Sequence, residues 1–87
     1  MIQIRQFIKE NKLTEALVEL NALIDREPDN AEALFERGRI YWRLGERSKA
    51  MSDYCCADGL EPDGPASVAL DQARRIEAFF NPDLLNP

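Results

Sequence analysis

Glu27-Pro28-Asp29-Asn30 returns as Glu61-Pro62-Asp63-Gly64, 34 residues further on. A fixed period of this size marks supersecondary units that cannot bury their apolar faces alone and must stack to do so. Each copy carries a proline, which lacks the N–H that would continue a helix and clashes with the turn before it. The recurring motif is therefore a recurring stop between helices. In 87 residues there is room for one complete unit, a degraded copy before it and a single helix after it.

The apolar spacing supplies the helices. Residues 2–10 place Ile4, Phe7 and Ile8 on one side. Asn11-Lys12 interrupts that pattern, and residues 13–26 resume it with Leu13, Ala16, Leu17, Leu20, Leu23 and Ile24, a stripe of helical period. Thr14 near the start and Pro28 past the end are boundary signals. Asp29-Asn30 offers caps for a helix over 31–44 that carries Leu34, Phe35, Gly38, Tyr41 and Trp42. Gly45 suits a left-handed terminator, having no Cβ to clash there. Residues 47–60 direct Ala50, Met51, Tyr54, Ala57 and Leu60 inward, and residues 65–79 carry Ala69, Ala73, Ile76 and Phe80 on one stripe. Asn81-Pro82 stops the last helix. No segment alternates with period two, so an all-α fold of about five helices is expected. The short connections make neighbouring helices antiparallel.

Composition narrows the function. Eleven cations face 16 carboxylates, a net charge of −5. That balance opposes a general nucleic-acid binder, which needs a basic face to release counterions. No apolar run reaches the length of a membrane helix. The N-terminus is amphipathic and charged, unlike a secretory signal, so a cytoplasmic protein is expected. There is no histidine, which removes the commonest general base and metal ligand. Cys55 and Cys56 are helical neighbours that point about 100° apart and do not bridge readily. They read as reduced residues packing as small hydrophobes. Carboxylate pairs such as Asp25 with Glu27, or Asp58 with Glu61, are what a helical chain this acidic shows by chance. No catalytic, cofactor or metal site is expected, and the chain does not read as an enzyme.

Residues 31–64 resemble one complete tetratricopeptide repeat. Leu34, Gly38 and Tyr41 match the first helix of that family's pattern, Gly45 its turn, and Ala50, Tyr54, Ala57 and Pro62 its second helix and closing proline. Gly38 and Ala50 would be small because the two helices of a unit cross there, and Ala57 so that the next unit can approach. Tyr41 and Tyr54 would fill the space between units. Shifted back by the period, Ile4, Phe7, Asn11, Ala16, Leu20, Leu23 and Pro28 form a degenerate unit. Shifted forward, Val68, Gln72 and Arg75 lack the signature and resemble the family's terminal solvating helix. The resemblance implies a right-handed superhelical stack over 1–80: a degenerate repeat (1–30), a full repeat (31–64) and a capping helix (65–80), followed by a tail (81–87). That tail is similar to those of very small bacterial single-domain members. Arg37 and Asp58 stand where the family's residues are leucine-like; they pair with each other, pair with the last helix, or face solvent.

In the resembling family the first helix of each unit lines a concave, peptide-holding face. Here that face would carry Arg5, Ile8 and Lys9, then Phe35, Arg39, Trp42 and Arg43, then Ala69, Ala73 and Ile76. An aromatic floor with four cations suits a protein or peptide partner with apolar anchors and carboxylates, and Trp and Arg are frequent hot-spot residues. The competing reading makes Phe35 and Trp42 core residues and pairs the arginines with Glu32, Glu36 and Glu46. The family's chaperone-tail clamp is not expected, because Met1 and Glu36 occupy positions where it needs asparagine. Asp83, Leu84 and Leu85 make the tail itself a candidate ligand for the groove, in its own copy or a second one; the competing reading is a free, frayed terminus. Such an array is short for a stack, and self-association would bury its remaining apolar surface.

Overall fold

The computed structural model describes the backbone of residues 1–80 and the side chains of residues 1–76. The chain forms α1 (Ile2–Lys9), α2 (Leu13–Arg26), α3 (Ala31–Arg43), α4 (Arg47–Leu60) and α5 (Pro65–Phe80). Among the described residues there is no strand, and no helix is long and apolar enough to cross a membrane. The expected Phe80 contact and the tail lie outside the described side chains and residues.

The 34-residue period is written into the backbone. Asn11 and Gly45, one period apart, both adopt the left-handed conformation, with φ of 61° and 81°. After α1, the N–H of Lys12 reaches the Phe7 carbonyl at 2.7 Å and that of Asn11 reaches Ile8 at 3.0 Å. After α3, Glu46 donates to Tyr41 at 2.9 Å and Gly45 to Trp42 at 3.2 Å. Both are the crossed pair of bonds that satisfies the last carbonyls of a helix through a left-handed residue. The C-caps Glu27 and Glu61 also match, at φ −134°, ψ 74° and φ −132°, ψ 81°. The degraded and complete units therefore share one backbone path through their inner turns and C-caps despite different side chains, and part only at Asp63, whose φ of 65° has no counterpart at Asp29.

The N-termini differ. Asn30 caps α3, its Oδ1 accepting the Ala33 N–H at 3.0 Å, as the sequence suggests. Thr14 does not cap α2. Lys12 occupies that position and makes no side-chain cap bond, as an ammonium has no acceptor for the helix N–H groups.

α3 is the central element. Its Ala33 and Ile40 join Ile4, Ala16 and Leu20 in one cluster. Its Ala31 and Leu34 meet Ala57 and Ala66 in a second. Phe35, Tyr41 and Trp42 border a third, formed by Ala50, Tyr54 and Leu70. Alanine contributes many of the buried positions, so the helices approach closely and large side chains are few. A Cβ on Gly38 would lie 2.7 Å from Tyr54 Cε1 and 3.3 Å from the Ala50 carbonyl, which is the close crossing the sequence predicts. Tyr54 consequently sits on Gly38 within its own unit as well as against Leu70 of the next helix.

Three expectations are corrected. Leu60 does not point inward; it is 41% exposed in the last turn of α4. Cys55 and Cys56 are exposed free thiols, not packed, because α4 buries Ala50, Asp53, Tyr54 and Ala57, and that stripe turns both cysteines outward. Arg37 pairs with neither Asp58 nor α5. It donates Nε and Nη2 to Asp53 at 2.8 and 2.7 Å, and Nη1 to Asn21 Oδ1 at 3.0 Å. One guanidinium thus ties α2, α3 and α4 together, its planar fork matching a carboxylate. The Asp53 bond raises its pKa above the usual arginine value, against the opposing effect of burial.

Candidate partner-binding face

The first helices of both units and α5 border three hollows. The largest, about 420 Å³, is lined by Ile8, Lys9, Arg39, Trp42, Arg43 and Tyr54. A second of about 110 Å³ shares Trp42 and Tyr54 with it and extends along α5 past Ala69, Gln72, Ala73 and Ile76. A third of about 300 Å³ lies toward the start of α3, with Phe35, Ala31 and Ala66 beside Arg5, Glu36 and Glu61. The Phe35 and Tyr54 rings, 6.0 Å apart and tilted by 41°, link the third hollow to the others.

Each residue singled out for this face lines one of these hollows. Arg5 and Phe35 border the third, and Ile8, Lys9, Arg39 and Arg43 the largest. Trp42 joins the largest to the smallest, where Ala73 and Ile76 stand. Ala73 is buried and Ile76 is 36% exposed at the rim.

The cations are not equivalent. Arg5 is engaged by Glu32 across the α1–α3 seam. Arg39 lies 3.5 Å from Glu36, with its guanidinium 5.7 Å from the Phe35 ring centre. Two of the pairings named in the competing reading are therefore present. Lys9 and Arg43 form no salt bridge with any described residue. Phe35 and Trp42 are half-buried, so each supports the core with one side and presents the other. Arg47 stacks over Trp42 at 5.3 Å, flanking the indole from α4 with another cation.

Sequence reasoning missed Tyr54, Glu36 and Glu61 as lining residues. Tyr54 belongs to the second helix of its unit, and the repeat pattern reads it as filling the space between units, not as lining the face. It reaches the face because Gly38 has no side chain to stop its ring. The absent Cβ was the available signal. Burial pushes the Tyr54 hydroxyl's pKa above the ordinary tyrosine value; Arg39 opposes the shift while Glu36 and Asp53 add to it. Glu36 is itself buried, at 8% exposure, beside Arg39.

Paired helices repeating one backbone path around a shared central helix define a helical-repeat protein. Residues 5–45 match the TPR repeat family model, so this stretch of the chain is similar to tetratricopeptide repeats. The match runs from α1 through α2 and α3 to Gly45, so it covers most of the unit whose side-chain signature is degenerate. Neither a curated protein nor a solved structure matches the chain. Repeats of this family generally mediate protein–protein interaction.

Proposed function

We propose that this protein is a cytoplasmic interaction module that acts by docking rather than catalysis, and that it holds a partner segment on the face of α1, α3 and α5. The observation that carries this reading is the hollow where Lys9 and Arg43, without carboxylate partners among the described residues, stand beside the half-buried Trp42. Trp42 and Phe35 would receive apolar side chains, and the cations would hold carboxylates. Ala73 and Ile76 would extend the floor.

The chain has one tryptophan, so its fluorescence reports this site alone. A panel of end-capped peptides, each with two leucines beside at least one aspartate, should shift Trp42 emission on titration. Arg43→Glu should weaken the response, and added salt should weaken it further by screening. The reading fails if no peptide of the panel shifts the emission and calorimetry detects no heat of binding.

A second reading is supported by the connection of the tail to α5, the helix that supplies Ala73 and Ile76. Residues 81–87 span at most about 25 Å, and their Asp83, Leu84 and Leu85 fit the same chemistry. In that case the protein is a self-associating structural subunit whose groove is filled by its own or a neighbour's tail. Light scattering and thermal melting should then both change on truncation after Phe80. Unchanged mass and unchanged Tm would eliminate this alternative.

A further inference from the structure

The face is electrically polarised along α3. The hollow near the C-terminal half of α3 is lined by Lys9, Arg39 and Arg43 and by no carboxylate. The hollow near its N-terminal end has Glu32, Glu36 and Glu61; Arg5 engages Glu32 and Arg39 lies 3.5 Å from Glu36, while Glu61 forms no salt bridge with any described residue. Between them lies the aromatic bridge of Phe35 and Tyr54.

Helix dipoles account for part of this order. Glu32 in the first turn of α3 and Arg43 in the last complement its macrodipole, as does Lys9 at the end of α1. They do not account for Glu61. That carboxylate is the C-cap of α4, an end where negative charge is disfavoured, yet it lines the acidic hollow. Nor do they account for Glu36, which lies in the middle of α3 and is buried.

We infer that the partner segment is bipolar: an extended stretch carrying a basic residue for the Glu36–Glu61 hollow and an acidic residue for the Lys9–Arg43 hollow, with apolar side chains between them over Phe35 and Trp42. This rests on the docking reading above and refines its ligand from an acidic peptide to a charge-paired one. Glu36 and Arg43 are separated by seven positions on α3, about 10 Å along a helix axis. An extended chain covers that distance in about three residues. The base and the acid of the ligand are therefore about three residues apart. An all-acidic segment places like charges together at Glu36 and Glu61, and such juxtaposition selects against it.

The test compares two end-capped peptides, Lys-Leu-Leu-Asp and Asp-Leu-Leu-Asp, titrated against the full chain with Trp42 emission as the readout. The lysine peptide should bind more tightly by about fivefold, the scale of one exposed charge pair gained and one repulsion avoided. Glu61→Lys, at an exposed cap, should abolish or reverse that preference, while Lys9→Gln should weaken both peptides. Equal affinity, tighter binding of the all-acidic peptide, or a preference that survives Glu61→Lys would overturn the bipolar assignment and leave the docking face standing. Failure of both peptides to bind would overturn the two together.

Discussion

Arg37 and Asp53 form a two-pronged ion pair across the α3–α4 crossing, at 2.8 and 2.7 Å, with the Asp53 side chain only 6% exposed. The guanidinium's remaining arm holds Asn21 of α2. A charge pair so placed fixes the orientation of three helices at once. It does not follow that the pair adds net stability, because both charges lose water to form it.

Removing one member should be costly. Arg37→Leu leaves Asp53 buried without its counter-charge and is expected to lower the unfolding free energy by about 3 kcal/mol. The double variant Arg37→Leu/Asp53→Leu restores a neutral crossing and should recover most of that loss. Urea melts followed by circular dichroism measure these two and the Asp53→Leu single variant, and a loss in the double variant equal to the sum of the single losses would show that the two residues act independently.

Gly38→Ala sets two effects against each other. Alanine is better than glycine in a helix by about 1 kcal/mol, but its Cβ would meet Tyr54 Cε1 at 2.7 Å and Cδ1 at 2.8 Å. Overpacking of this kind costs about 1–3 kcal/mol, so net destabilisation is expected. The clash is with ring carbons, so a Tyr54→Phe background should leave the penalty intact. A Tyr54→Leu background should reduce it. Thermal melts of Gly38→Ala, of the two Tyr54 single variants and of the two double variants separate ring volume from the hydroxyl.

The raised pKa of Tyr54 gives the fold an alkaline limit. Burial makes the phenolate harder to form in the folded state than in the unfolded chain, where the group titrates near its ordinary value of 10.0. Above that pH the unfolded state binds fewer protons than the folded one, and stability falls as pH rises. Below it the contribution is complete. Tm measured from pH 8 to 11 should fall at the upper end, and the fall should be smaller in Tyr54→Phe.

Trp42→Ala and Leu20→Ala should dissociate binding from folding. Leu20 is fully buried, and its truncation should cost about 2–5 kcal/mol. Trp42 is half-buried, and its truncation should remove about 1–2 kcal/mol of buried apolar surface while abolishing peptide binding measured by calorimetry. A Trp42 variant that unfolds would place that indole in the core and withdraw it as an anchor.

Much of the fold was legible because its determinants are local. Proline, the left-handed Gly45 and the Asn30 cap act within a few residues, and the apolar stripes act within one helix. Asn11 was visible as a break and as the residue one period before Gly45, and it makes the same turn, because asparagine tolerates positive φ better than most residues. What escaped was lateral. Asp53 as the partner of Arg37, and the passage of the Tyr54 ring over Gly38, depend on how two helices rotate against each other, which spacing along one chain does not specify. The cationic side of the face could be read from the stripes of α1 and α3, which supply Lys9, Arg39 and Arg43. Its acidic side could not, because Glu61 is brought there from the end of α4.

The placement of α3 has a consequence for how the molecule comes apart. All three apolar clusters draw side chains from it, so the boundary between repeats runs beside an element that both sides need. A fragment ending at residue 30 would keep α1 and α2 but lose Ala33 and Ile40, and would have little to close against. The amides of α3 are thus expected to exchange with deuterium only when the whole chain opens. A protein assembled from repeated pieces loses its structure as a single event, and the repeat is a unit of sequence rather than a unit of folding.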